Sequence, residues 1–168
     1  MSASPNWLSF IASPNEALVV SASVPSEGPL QVSGVETWPL DPGERPQAYA
    51  ALRRRIQAYL SAQAISFVAY RGAASSQFGT GPQAYLAAEI RGALLSALGE
   101  GCVRSRAFTK GVVSRRFGTQ KVGDYLRDDG FWRANCIGDI PRSHREAAFY
   151  LFVARGENRP SESFGVVS

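Results

Sequence analysis

Cysteine is scarce in this chain, with Cys102 and Cys136 the only two in 168 residues, far apart and outside any C-x-x-C pattern. That leaves no disulfide framework and no zinc-ligand spacing, and it makes a reducing cytoplasm the expected compartment. Histidine is scarcer still, since His144 stands alone. No apolar run approaches the roughly 18 residues of a membrane-spanning helix, and residues 1–10 place no cationic segment ahead of an apolar one, so neither membrane insertion nor export is expected. There is no internal repeat. Acidic residues are in mild deficit, 14 against 18 Lys plus Arg, for a formal charge of +4.

Hydrophobic residues are not lacking. At 45% of the chain they suffice for one sizeable core, and the length suits one domain better than two. The expected organisation is a flexible N-terminus over residues 1–6, a folded domain over 7–155 and a flexible tail over 156–168, where Gly, Ser, Pro and charge prevail. The basic excess is concentrated. Within residues 104–133, Arg104, Arg106, Lys110, Arg115, Arg116, Lys121, Arg127 and Arg133 meet only Asp124, Asp128 and Asp129. Such a segment is either a solvated surface or a contact for a polyanion.

Periodicity predicts three opening strands, Trp7–Ser13, Ala17–Val24 and Leu30–Trp38, the first two joined by the turn Ser13-Pro14-Asn15-Glu16. Pro46 suits the first turn of a helix that runs to Gln63 with Tyr49, Leu52, Ile56, Tyr59 and Leu60 on one stripe. Arg53, Arg54 and Arg55 lie mostly off that stripe, which favours a solvent face over a phosphate clamp. Ala64–Tyr70 is a buried strand, 72–81 a loop, and Pro82 opens a helix to Leu98. Gly92 interrupts that helix and is expected to pack closely on the sheet. Cys102–Phe108 reads as a fifth strand, Thr109 caps a helix to Phe117, and Thr119 caps another to about Asp128. The stretch 130–142 reads as irregular. Ser143 and Glu146 form an S-x-x-E capping box before a last helix to about Arg155.

Three strands, helix, strand, helix, strand, helices is the order of the ribonuclease-H-like fold, and three segments resemble its RuvC-type Holliday-junction resolvases. Phe67-Val68-Ala69-Tyr70 with Ala88-Glu89-Ile90-Arg91-Gly92-Ala93 is similar to the strand with a catalytic glutamate and the Arg-Gly helix of that family. Thr109-Lys110-Gly111-Val112-Val113-Ser114-Arg115-Arg116-Phe117-Gly118 is similar to its lysine-bearing segment, and Ser143-His144-Arg145-Glu146-Ala147-Ala148 to the start of its closing helix. The resemblance spans residues 7–155. It implies an α/β fold with a five-stranded mixed sheet, three strands antiparallel and two parallel, flanked by helices. It also implies a homodimer.

The family cuts nucleic acid with two divalent cations held by carboxylates, because hard cations prefer oxygen ligands. Carried over residue by residue, the acid positions fall on Ser13, on Tyr70 (or Arg71 with the register shifted by one), on Ser143 and on Glu146. Only Glu146 is acidic, and the capping box gives it a structural alternative. Glu89, Glu16 and Asp139 are further carboxylates, and Glu89 suits a helix-surface charge better than a ligand. His144 is a candidate general base. Arg71, Lys110, Arg115, Arg116 and Lys121 are candidate nucleic-acid contacts, and Ser75, Ser76, Gln77 and Phe78 could bind phosphate and base or form an ordinary polar loop.

The favoured expectation is a pseudo-nuclease with a degenerate metal site and no cofactor, a module binding DNA or RNA or another protein. The second is an active nuclease with relocated carboxylates, requiring Mg²⁺ or Mn²⁺. The third is a protein-binding subunit or inhibitor without a nucleic-acid role, for which Phe131 and Trp132 would form an exposed apolar patch.

Overall fold

The structure, a computed structural model, describes residues 3–73, 81–114 and 120–157. The first three strands, β1 (Asn6–Ala12), β2 (Glu16–Ser23) and β3 (Leu30–Pro39), form an antiparallel meander. The turn between β1 and β2 closes where expected, with the Ser13 N–H donating to the Glu16 carbonyl at 2.9 Å. Helix α1 (Arg45–Ala62) then leads to β4 (Ile65–Arg71), which pairs parallel to β1. Helix α2 (Pro82–Gly101) leads to β5 (Arg104–Phe108), parallel to β4. The five expected strands thus lie in the order β5-β4-β1-β2-β3.

Alternation along β1 divides the core. Leu8 and Phe10 face α1 and α2, where Leu52, Ile56, Leu60, Ile90 and Leu94 cover them, and Trp7 and Ile11 face the opposite layer. That layer is α6 (Arg145–Glu157), backed by the short helices α3 (Lys110–Ser114), α4 (Val122–Arg127) and α5 (Asp129–Asn135). A strand covered on both faces is apolar on both, which is why β1 reads as a nearly continuous hydrophobic run. One residue is forced by close approach. A Cβ on Gly34 of β3 would lie 2.7 Å from Ser21 Oγ and 2.9 Å from the Tyr59 hydroxyl, two groups that are themselves hydrogen-bonded at 2.8 Å.

Several expectations change. The stretch 130–142 is not wholly irregular, because the Asp128 carboxylate accepts the Phe131 N–H at 3.0 Å and caps α5. After it, Cys136–Ile137 forms a sixth strand, β6, parallel to the start of β3. Helix α2 runs through Gly99, Glu100 and Gly101, since Glu100 is held by Arg53 and Gln57 of α1 and this contact outweighs glycine's poor propensity. Cys102 therefore ends a helix in the left-handed region, with φ 51°, and β5 starts two residues later than expected. Phe131 and Trp132 form no exposed patch, because Trp132 is buried and Phe131 packs on the core between Phe149 and Phe152. Burial also pushes the Cys136 thiol up to about 11, so it stays protonated at neutral pH.

Gly92 is not packed on the sheet. It is exposed on α2, and a Cβ there would meet nothing within 4 Å. Gly92→Ala is therefore expected to raise stability by about 0.5–1 kcal/mol through helix propensity alone. A urea denaturation curve checks this, and a lower midpoint would mean that something covers this face. Among the described residues no helix is long and apolar enough to cross a membrane.

Candidate functional site

The parallel pair β1 and β4 points its carboxyl ends into a cleft of about 450 Å³. Open α/β sheets characteristically present such a crevice beyond their strand ends. Its floor is Ala12 at the end of β1 and Arg71-Gly72-Ala73 at the end of β4; α2 contributes Ala84, Ala87, Ala88 and Arg91, α3 begins at its edge with Thr109 and Lys110, and α6 sends in Glu146. Along β4, Phe67 and Ala69 face the α6 layer while Val68 and Tyr70 face α1 and α2. Alternation therefore turns Arg71 toward α6 and Tyr70 away from it. The strand-end position opposite Glu146 is held by Arg71.

Glu146 is the centre of a compact charge cluster. Its Oε1 accepts the Tyr150 hydroxyl at 2.7 Å, one helical turn further along α6. Its Oε2 lies 3.3 Å from Arg71 Nη1 and 3.6 Å from Lys110 Nζ. The Arg71 guanidinium also donates from Nη2 to the carbonyl of Ala12 at 3.2 Å, so it ties the ends of β1 and β4 to the first turn of α6. The Glu146 side chain is only 13% exposed, against 39% for Arg71. Tyr150 is fully buried and stacked on Phe108 at 5.6 Å. Burial first, and then the neighbouring Glu146 charge, hold its phenol well above the usual value, so it remains a donor.

The capping box does not form. The 3₁₀ turn Arg142–His144 precedes α6, the Ser143 hydroxyl bonds His144 Nδ1 at 2.9 Å, and Glu146 turns into the cleft. His144 is buried on the β3 side of the molecule. Its Nε2 is 2.9 Å from the Glu36 carbonyl, an acceptor only, so Nε2 donates there. It does not line the cleft. Glu89 accepts the Tyr49 hydroxyl and lies 3.5 Å from Arg45, tying α2 to α1 outside the cleft. Desolvation, and then this carboxylate, raise the Tyr49 phenol.

The remaining candidates are scattered. Glu16 opens β2 opposite Pro39, and Asp139 lines a second cavity with Trp132, Cys136 and Arg145. Ser13 sits in the β1–β2 turn and Lys121 is exposed at the start of α4. Arg115 and Arg116, and the loop residues Ser75, Ser76, Gln77 and Phe78, lie outside the described residues. Of the candidates weighed from the sequence, the structure brings together Arg71, Lys110 and Glu146. Sequence reasoning missed Tyr150 and the cleft-facing role of Arg91. The signal for Arg91 was its spacing from Ala84, Ala87 and Ala88, which puts all four on one side of α2. Among the described residues no group of three His, Cys, Asp or Glu side chains is arranged to hold a metal ion.

A mixed sheet of this strand order, helices on both faces and a cleft at the ends of β1 and β4 define a ribonuclease-H-like fold of the RuvC type. Two solved structures of Thermus thermophilus RuvC share it. RuvC in complex with a Holliday junction substrate matches with a TM-score of 0.69 at 17% identity, covering 90% of this chain and 94% of that one. A second RuvC structure matches with a TM-score of 0.70 at 16% identity, covering 90% and 95%. No protein-family model and no curated protein sequence matches the chain.

Proposed function

We propose that this chain is a nucleic-acid-binding protein on a RuvC-like fold, in which the protein's own cations have replaced catalytic metal ions. The observation that carries this is the Arg71 guanidinium, bonded to both Ala12 at the end of β1 and Glu146 at the start of α6. In the resolvases that this fold resembles, carboxylates converge there around divalent cations. Here, among the described residues, one carboxylate reaches the cleft, and its two oxygens already face Tyr150, Arg71 and Lys110. Hard cations need several oxygen ligands and are repelled by fixed positive charge. The residues present therefore do not fit a two-metal site, and binding needs no Mg²⁺ or Mn²⁺.

Relocated acids are the weaker reading. Glu89 is already paired with Arg45, and residues 74–80 and 115–119, outside the described residues, contain no Asp or Glu. What the site offers is positive charge from Arg71, Arg91 and Lys110. Phosphate recognition by Arg and Lys is sequence-independent and depends on salt. The test is incubation with branched and linear DNA in Mg²⁺ or Mn²⁺, comparing the natural protein with Glu146→Ala. Binding that weakens steeply with salt, without cleavage, is expected. Cleavage that disappears in Glu146→Ala would overturn the proposal.

A further inference from the structure

Among the described residues, three cations line the cleft against one carboxylate, an excess of two positive charges. Arg71 and Lys110 share that carboxylate at 3.3 and 3.6 Å. Arg91 is half-buried on α2 and has no hydrogen bond or ion pair to any described residue. Donors are therefore in surplus: an arginine presents five N–H groups and a lysine three, and the contacts in the cleft use only a few of them. Thr109 adds a hydroxyl that accepts the Val112 N–H at 3.3 Å and still has its own proton to give.

This surplus has a definite charge and shape. An internal phosphodiester carries one negative charge, whereas a phosphate monoester at neutral pH carries close to two and has three terminal oxygens to accept. Of the two, the monoester matches the excess that the described lining residues carry. A volume of about 450 Å³ holds a group of nucleotide size. Ala84, Ala87 and Ala88 keep the α2 wall low, and Tyr85, 62% exposed at the rim, presents an aromatic face on which a base can stack.

We infer that the cleft takes a terminal phosphate monoester of a nucleic-acid strand, anchored by Arg91 and flanked by Lys110 and Arg71, with the terminal base against Tyr85. This rests on the nucleic-acid-binding proposal above and narrows its ligand to strand ends. A free mononucleotide offers the same phosphate chemistry, so the test separates the two.

The experiment is fluorescence anisotropy in EDTA with short single strands of one sequence bearing a 5′-phosphate, a 3′-phosphate or only hydroxyl ends, with a nucleoside monophosphate as competitor. One phosphorylated end is expected to bind about tenfold tighter than the hydroxyl-ended strand, the scale of one charged hydrogen bond. Arg91→Ala should abolish that preference and Tyr85→Ala should reduce it, with thermal melts confirming that both variants fold. Arg54→Ala, on the exposed side of α1, should leave the preference intact. Equal, salt-sensitive affinity for all three strands would overturn strand-end recognition while leaving nucleic-acid binding in place. Binding of the mononucleotide but of no strand would overturn both in favour of a free nucleotide. No binding of any probe would remove both.

Discussion

Arg71→Glu is expected to reduce nucleic-acid affinity roughly 10- to 100-fold at low salt, by removing a charged hydrogen-bond donor and adding a repelling charge. It should also cost the protein stability. Arg71 Nη1 now lies 3.3 Å from Glu146, whose side chain is 13% exposed, and the substitution sets two carboxylates facing each other. Half-exposure of the Arg71 side damps the repulsion, leaving a loss of about 1–2 kcal/mol. For a chain of this length that lowers the melting temperature by about 2–8 °C. Two facing carboxylates are, however, what a divalent cation prefers, so millimolar Mn²⁺ should restore part of the loss in the variant and change nothing in the natural protein. Thermal melts in EDTA and in Mn²⁺ check this. A natural protein stabilised by Mn²⁺ would sink the view that Arg71 stands where the metal would.

Trp38→Ala is expected to give the largest stability loss, about 3–5 kcal/mol. Trp38 is 1% exposed near the end of β3, packing edge-on to Phe10 at 6.4 Å and Tyr59 at 5.2 Å. The Arg55 guanidinium lies over its ring at 4.7 Å. Its indole N–H donates to Glu36 at 3.0 Å. Removing the ring opens a void among β1, β3 and α1 that close-packed neighbours refill only in part. Trp38→Phe, which keeps most of the packing and loses one hydrogen bond, should cost less than half as much. Urea denaturation with an unchanged slope would assign both effects to the native state. An equal loss in the two variants would mean that the hydrogen bond, rather than the ring, dominates.

The candidate site was legible to different depths at different residues. Glu146 and Lys110 stand out because they fall in segments with a resemblance to follow, and Arg71 enters both as a candidate nucleic-acid contact and as a possible shift of register. Which of Tyr70 and Arg71 faced α6 could not be read from a strand covered on both sides, where Phe67, Val68 and Ala69 are all apolar and alternation leaves no mark. The local S-x-x-E pattern offers Glu146 a cap as the alternative to a site role, yet a 3₁₀ turn and two partners distant in sequence, Arg71 and Lys110, draw it into the cleft. His144 drew notice as the only histidine, and its place against β3 follows from a contact across more than a hundred residues.

The amino-acid sequence by itself determined the order of elements: five strands by their apolar runs, α1 and α2 by helical spacing and their opening prolines, and the first turn by Ser13-Pro14-Asn15-Glu16. These are consequences of neighbours within a few residues, whose spacing the chain carries on its face. Tertiary structure alone decided that Gly92 faces solvent, that β6 extends the sheet, and that Arg71, Lys110 and Glu146 meet beside Arg91. Those outcomes depend on which surfaces are buried against each other when β1, β4, α2 and α6 pack, and no local pattern encodes the approach of residues 75 positions apart, the separation of Arg71 from Glu146.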